Sequence, residues 1–422
     1  MSPRTTSPTQ PASAATGRWP PTLWAVLIGS FAVRGFGFAY PFLPYHLDEL
    51  GFSTTTTGWI VAAFGAGWLL GQVLCGWLSD RFGHRATLVA AMTLATVILP
   101  VLAEVRTVAA VFPATLVAGM VYDAARPVVS VVIADAVPRP ADQALVNGWR
   151  HFAVNAGAAL TGSLGGYLAS TAGTAILFWA NAVACGLFGL AALHFLPARH
   201  ADQGRGIPDR EAYRAAFHDV RLLLLSVASL CGLICAGGVF TALPLLMAAD
   251  GLDVVAYGWT QVANAAAVLL LSPLLTPWLS RRTSDERPMT GLLALSVLLL
   301  AGAMGIAGLS DSMLGYSFAS AAAVPGEIIL FIAAGDLVMR IAPTNARGLY
   351  AGLWGSNLAT AITIAPLMTS WAIGHGGDLT ASVSTLTVGV LGAFLCLPLH
   401  HQLAPRDPSA LHTSAPSDQG AP

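Results

Sequence analysis

The sequence contains no lysine, and all 20 of its basic Lys/Arg positions are arginines. Charge of either sign is scarce: 10% of the 422 residues, where a soluble domain carries about 25%. With 55% hydrophobic residues and a mean hydropathy of +0.68, that scarcity excludes an ordinary soluble domain. The net charge of −1 gives no footing for nucleic acid. The five cysteines (Cys75, Cys185, Cys231, Cys235 and Cys396) all lie inside apolar runs, so neither a metal site nor redox chemistry is indicated. No phosphate-cradling glycine loop, metal-ligand cluster or nucleophile with a base is recognisable. An ATP-driven pump or a membrane enzyme is therefore not expected, and no cofactor is implied.

What the chain does have is long apolar runs of about 20 residues, the length that crosses a bilayer as helix. In lipid the backbone must satisfy its own hydrogen bonds, which fixes such runs as helices. Twelve spans are expected: 22–44, 57–79, 86–104, 108–137, 146–170, 173–196, 220–248, 256–279, 288–309, 312–340, 348–373 and 379–402. The longest connection, 197–219, holds Arg199, Arg205, Arg210 and Arg214 and reads as a solvated linker between two six-helix halves, 22–196 and 220–402. The ends, 1–21 and 403–422, read as disordered tails. With both termini in the cytoplasm, 17 of the 20 arginines fall on that side; Arg106 falls outside, and Arg34 and Arg126 lie within spans.

The halves repeat each other. Span two runs from Gly58-Trp59 to Trp77-Leu78-Ser79-Asp80-Arg81, and span eight from Gly258-Trp259 to Trp278-Leu279-Ser280-Arg281-Arg282. The loop from Pro138 to Trp149 matches that from Pro343 to Trp354, and spans one and seven each carry an outer proline, Pro41 and Pro244. Parallel repeats of this kind are one recognised plan for membrane carriers.

The turn after span two, Gly76-Trp77-Leu78-Ser79-Asp80-Arg81-Phe82-Gly83-His84-Arg85, places an acid, two arginines and a turn glycine within ten residues. Gly76 is expected to let the helix end approach a neighbour closely, and Gly83 to permit the turn. The pattern resembles the signature loop of the major facilitator superfamily, and the resemblance covers roughly residues 22 to 402. It implies a secondary transporter working by alternating access, with Asp80, Arg81 and Arg85 as a cytoplasmic latch and Asp135 as a partner for Arg81. In the second copy Arg281 replaces the acid, so no matching latch is expected there. The run from Arg34 to Pro44, Arg34-Gly35-Phe36-Gly37-Phe38-Ala39-Tyr40-Pro41-Phe42-Leu43-Pro44, is similar to the twelve-span drug–proton antiporter branch. The glycines of span five (Gly157, Gly162, Gly165 and Gly166) lie where that branch carries a glycine–proline signature, with Ser163 in the proline's place.

Charge inside a span costs about 3 kcal/mol on insertion scales, so it faces a partner or water. Four such residues stand out: Arg34, Asp123, Arg126 and Glu327. Asp123 and Arg126 share a helix face, as a self-neutralising pair or as a proton or substrate site. Glu327 has no cation within two turns of its own span, and an unpaired buried carboxylate is expected to exchange protons near neutrality. Glu327, then Asp123, are the proton-carrier candidates, with Arg34 and Arg126 as charge partners. The resemblance implies that spans one, four, seven and ten line a central cavity where these four would meet. Tyr40, Tyr122, Gln72, Asn155, Asn181, Gln261, Asn264, Trp354 and Asn357 are candidates to complete the pocket, each alternatively a brace between helices.

The expected protein is an all-α, two-bundle carrier of the inner membrane, a monomer whose partners are protons, a small molecule and the lipid bilayer. The expected activity is proton-coupled export of small amphipathic organic compounds, such as drugs. Nutrient import by proton symport and a non-transporting receptor or scaffold on the same fold are the alternatives.

Overall fold

The computed structural model describes residues 19–122, 125–137, 140–197, 210–283, 288–343 and 346–403. Among them every regular element is helical. The first half comprises α1 (Pro21–Gly35), α2 (Ala39–Glu49), α3 (Thr54–Phe82), α4 (His84–Glu104), α5 (Val108–Tyr122), α6 (Ala125–Ala136), α7 (Pro140–Ala172) and α8 (Ala175–Phe195). A short α9 (Arg210–His218) lies in the connection. The second half comprises α10 (Val220–Ala249), α11 (Val254–Thr283), α12 (Thr290–Ala307), α13 (Met313–Ile341) and α14 (Arg347–Leu403). The described residues of the expected segments fall mainly on helix. Nine stretches among the described residues are long and apolar enough to cross a bilayer, one of which, Leu349–Leu403, carries the last two expected segments. Residues 1–18 and 404–422 of the expected tails and linker residues 198–209 lie outside the described residues.

Three departures from the expected spans have local causes. Span one is two helices, because the glycines of Arg34-Gly35-Phe36-Gly37 let the chain leave helical geometry. The amide freed at Ala39 is taken up by Asn181 Oδ1 of α8 at 3.4 Å, the kind of rescue a break in lipid requires. Spans eleven and twelve run into one another and separate only at Gly376 and Gly377, the latter at φ 64°. The connection between halves is not wholly irregular, since it ends in α9 and then Asp219, whose carboxylate caps α10 through the Arg221 amide at 3.0 Å. Burial raises the Asp219 carboxyl, but hydrogen bonds from the Arg221 side chain and amide and from Tyr350 outweigh it and hold it below the usual range.

The helical bundle has two ends. The end carrying Trp19 and Leu403 is the terminal face; the end carrying the turns near residues 50, 106, 173, 251, 310 and 377 is the far face. Between them the outward surface is apolar: Val73, Leu270, Leu274 and Leu314 are each at least 70% exposed, a surface that calls for lipid. The halves meet toward the far face, glycine against helix. A methyl group on Gly58 or Gly65 of α3 would strike Ser370 or Thr363 of α14. One on Gly258 of α11 would lie 2.8 Å from the Gly162 carbonyl oxygen of α7.

On the far face of the second half, Tyr316 donates to Asp250 Oδ2 at 2.6 Å, and Asp250 also hydrogen-bonds Asp378. Burial, then the charge of Asp250 and this hydrogen bond, raise the Asp378 carboxyl above its usual range. A raised carboxyl favours the fold fully below its unfolded value of about 3.9, and that contribution is lost as pH rises through the folded value. Asp378→Asn should therefore raise the melting temperature at neutral pH and change it little below about pH 4. Thermal melts across that range test this, and equal shifts at both ends would contradict it.

Candidate functional site

Arg34 sits in the last turn of α1, where a cation complements the helix C-terminus. Its Nη1 donates to the Tyr122 hydroxyl of α5 at 2.8 Å, and its carbonyl oxygen accepts from Thr161 Oγ1 of α7 at 2.5 Å. Just past the break, Tyr40 of α2 stacks on Phe64 of α3 at 5.4 Å and lies 5.5 Å from the Tyr122 ring. Tyr122 in turn meets Phe64 at 5.2 Å and Trp68 at 5.4 Å, both edge-on. Phe240 of α10, from the other half, closes on Tyr40 at 6.2 Å. Each such pair adds about 0.5–1.5 kcal/mol beyond its burial, so the five rings form a stiff wall.

A cavity of about 20 Å³ lies against this wall on the seam between the halves, lined by Arg34, Tyr40, Tyr122, Thr161, Phe240 and Gln261 among others. That volume holds about one water. Glu327 of α13 is partly buried and makes no hydrogen bond or ion pair with a described residue. The cation whose field reaches it is Arg34, from the opposite half. Thus an acid of the second half, with no partner among the described residues, lies within electrostatic reach of an arginine of the first.

The other expected site residues divide. Arg126 is exposed, its guanidinium carbon 6.0 Å from the Trp68 ring centre. Asp123 lies outside the described residues, as do the side chains of Asp80, Asp135 and Asn155. Gln261 lines the cavity while its amide donates to the Val239 carbonyl at 3.3 Å. Asn264 and Asn357 act as braces, donating to the Ser320 carbonyl at 3.0 Å and the Ser226 carbonyl at 3.2 Å. Trp354 packs edge-on against Phe331, one turn from Glu327.

In the turn after α3, Gly83 is at φ 86°, a conformation that favours glycine, and α4 starts at the next residue. Arg85 donates to the Leu193 carbonyl at the end of α8. Arg81 lies over two rings of its own helix end, Trp77 at 5.3 Å and Phe82 at 5.6 Å. No described residue pairs with Arg81 as an ion. Among the described residues Gly76 does not make the close approach expected of it: a methyl group there would meet no described atom within 4 Å.

Sequence reasoning passed over Phe64, Trp68 and Phe240, whose only signal was the one-turn spacing of Phe64 and Trp68. It also passed over a polar chain near the far face. His46 Nδ1 meets Thr174 Oγ1 at 2.8 Å, and Thr174 Oγ1 donates to Glu49 Oε2 at 2.5 Å. Among the described residues no group of three or more histidines, cysteines or acids could hold a metal ion.

A family model described as Major Facilitator Superfamily matches residues 23–366. No curated protein matches the sequence. The structure is similar to that of a POT family transporter in complex with 5-aminolevulinic acid, with a TM-score of 0.76 and 14% identity over 94% of this chain and 99% of that one. It is also similar to a peptide transporter POT in complex with sulfate, with a TM-score of 0.74 and 16% identity over 92% of this chain and 95% of that one. At such identities the likeness is one of fold.

Proposed function

The chain belongs to the Major Facilitator Superfamily, and we propose that within it this protein is a proton-coupled exporter of small amphipathic organic compounds. One observation carries the reading: Glu327, without a partner among the described residues, lies within electrostatic reach of Arg34 of the other half. The aromatic wall of Tyr40, Phe64, Trp68, Tyr122 and Phe240 suits a flat apolar body, and Arg34 and Glu327 supply the polar end.

In this reading the terminal face is cytoplasmic, in line with the arginine bias, and the membrane is the plasma membrane. Cargo reaches the seam from the cytoplasm while the far face is shut. Cargo and a proton on Glu327 exclude one another, so each proton that enters drives one cargo outward. A proton moving inward releases about 2.3 kcal/mol per 100 mV. Arg81, which pairs with no described residue as an ion, would join Asp80 and Asp135 when the terminal face closes. Both walls of the seam come from one chain, so a monomer suffices.

Uptake of a small nutrient by proton symport is the second reading; structures sharing the fold are described as peptide transporters. Everted vesicles with a fixed pH gradient separate the two. Cargo accumulation accompanied by proton efflux is the expected result. Entry of cargo and proton together would replace the exporter with a symporter. Movement of neither, with compounds screened for protection of an expressing strain, would leave a receptor or scaffold.

A further inference from the structure

Three phenols on the seam have no hydrogen-bond partner among the described residues. Tyr40 and Tyr45 belong to α2 of the first half and Tyr257 to α11 of the second; all three are buried, and the hydroxyl of each is unpaired. A buried hydroxyl left unpaired weighs against the state that buries it by about five- to a hundredfold. Nothing about the packing asks for that cost. Phe42, on the same helix, packs edge-on against Tyr257 at 5.4 Å with no hydroxyl at all, and phenylalanine would fill the same space at each position.

The three are also in order. Tyr122, bonded to Arg34, lies 5.5 Å from Tyr40. Tyr257 is within electrostatic reach of Tyr40 and Tyr122, and its ring is 5.6 Å from that of Tyr45. Tyr45 is in turn within reach of Asp253 and Asp48 at the far face. The hydroxyls thus climb from the cavity to the far surface, with both halves contributing.

We infer that Tyr40, Tyr45 and Tyr257 line the cargo's route between the cavity and the far face. The hydroxyls of Tyr45 and Tyr257, which lie outside the cavity lining, meet water and the cargo's hydrogen-bonding group only when the halves part at that end. The seam is then under two opposed influences. Close glycine contacts favour closure: a methyl group on Gly258 would lie 2.8 Å from the Gly162 oxygen and 3.3 Å from the Gly166 Cα. The unpaired phenols favour opening, so the two states stay near enough in energy to exchange. The inference rests on the two-state movement of the family and not on Glu327 as proton carrier.

The test is the far-face distance between spin labels at Thr107→Cys and Leu309→Cys on the full chain in nanodiscs, without cargo or gradient. Gly258→Ala should push the halves apart and populate the open state. In that background Tyr45→Phe and Tyr257→Phe should each restore the sealed population by about five- to a hundredfold. Phenylalanine keeps the ring, so folding is preserved. A Gly258→Ala protein that stays sealed would remove the balance and overturn the inference. So would phenylalanine variants that leave the distances unchanged, or that open the seam further, since the hydroxyls would then be bound to trapped water in the closed state. None of these results bears on coupling through Glu327, which is read by transport alone.

Discussion

Glu327→Gln should leave the protein inserted and folded but unable to accumulate cargo against a gradient. Glutamine keeps the shape and the hydrogen-bonding capacity of the side chain and loses the exchangeable proton. Each coupled proton is worth about 2.3 kcal/mol per 100 mV, which is about fiftyfold in cargo ratio. The ratio across everted vesicles should therefore fall from that range to unity, while downhill exchange of cargo persists. Removing an acid with no described partner takes nothing from the packing of α13, so the melting temperature should hold. Accumulation at the unmodified level in the variant would remove Glu327 from the mechanism and leave Asp123 as the acid to test.

Much of this was legible in the sequence, for a physical reason. Apolar runs of span length have one solution in lipid, so the helices follow from hydropathy alone. A lone acid such as Glu327 is conspicuous in such a run because burying it costs so much. What was not legible depends on partners far away in the chain. The split of span one at Gly35–Phe38 requires Asn181 to accept the freed Ala39 amide, and nothing near residue 39 announces that. Asn264 and Asn357 carry the same amide whether they hold a cargo or a neighbouring carbonyl; only the fold shows the carbonyls of Ser320 and Ser226. Phe64, Trp68 and Phe240 read as ordinary span residues until the packing of α3, α5 and α10 brings them around Tyr40. The turn after α3 was legible for Gly83, whose backbone angle needs glycine, and not for Gly76, where a methyl group would meet no described atom within 4 Å.

The aromatic wall also predicts a severe effect from one added methyl group. α3 and α5 touch backbone to backbone through three glycines. A methyl group on Gly67 would fall on the Leu116 oxygen, one on Gly71 on the Met120 oxygen, and one on Gly119 on the Phe64 oxygen and 3.0 Å from the Phe64 Cα. Backbone atoms cannot rotate away as a side chain can, so Gly119→Ala must push the two helices apart. Overpacking of this kind costs typically 1–3 kcal/mol. The displacement falls on Phe64 and Trp68 of α3 against Tyr122 of α5, the contacts now at 5.2 and 5.4 Å. Tyr122 is also what Arg34 donates to, so the cavity loses a wall and the arginine its support. Gly119→Ala should lower the melting temperature by several degrees and abolish transport even where protein remains folded. Gly302→Ala in α12 is the matched control, since a methyl group there meets open space and alanine favours helix over glycine by about 1 kcal/mol. Gly302→Ala should leave transport intact and stability equal or higher. If Gly119→Ala behaves as Gly302→Ala does, in melts and in vesicles, then α3 and α5 are not locked by their glycines and the wall does not depend on that contact.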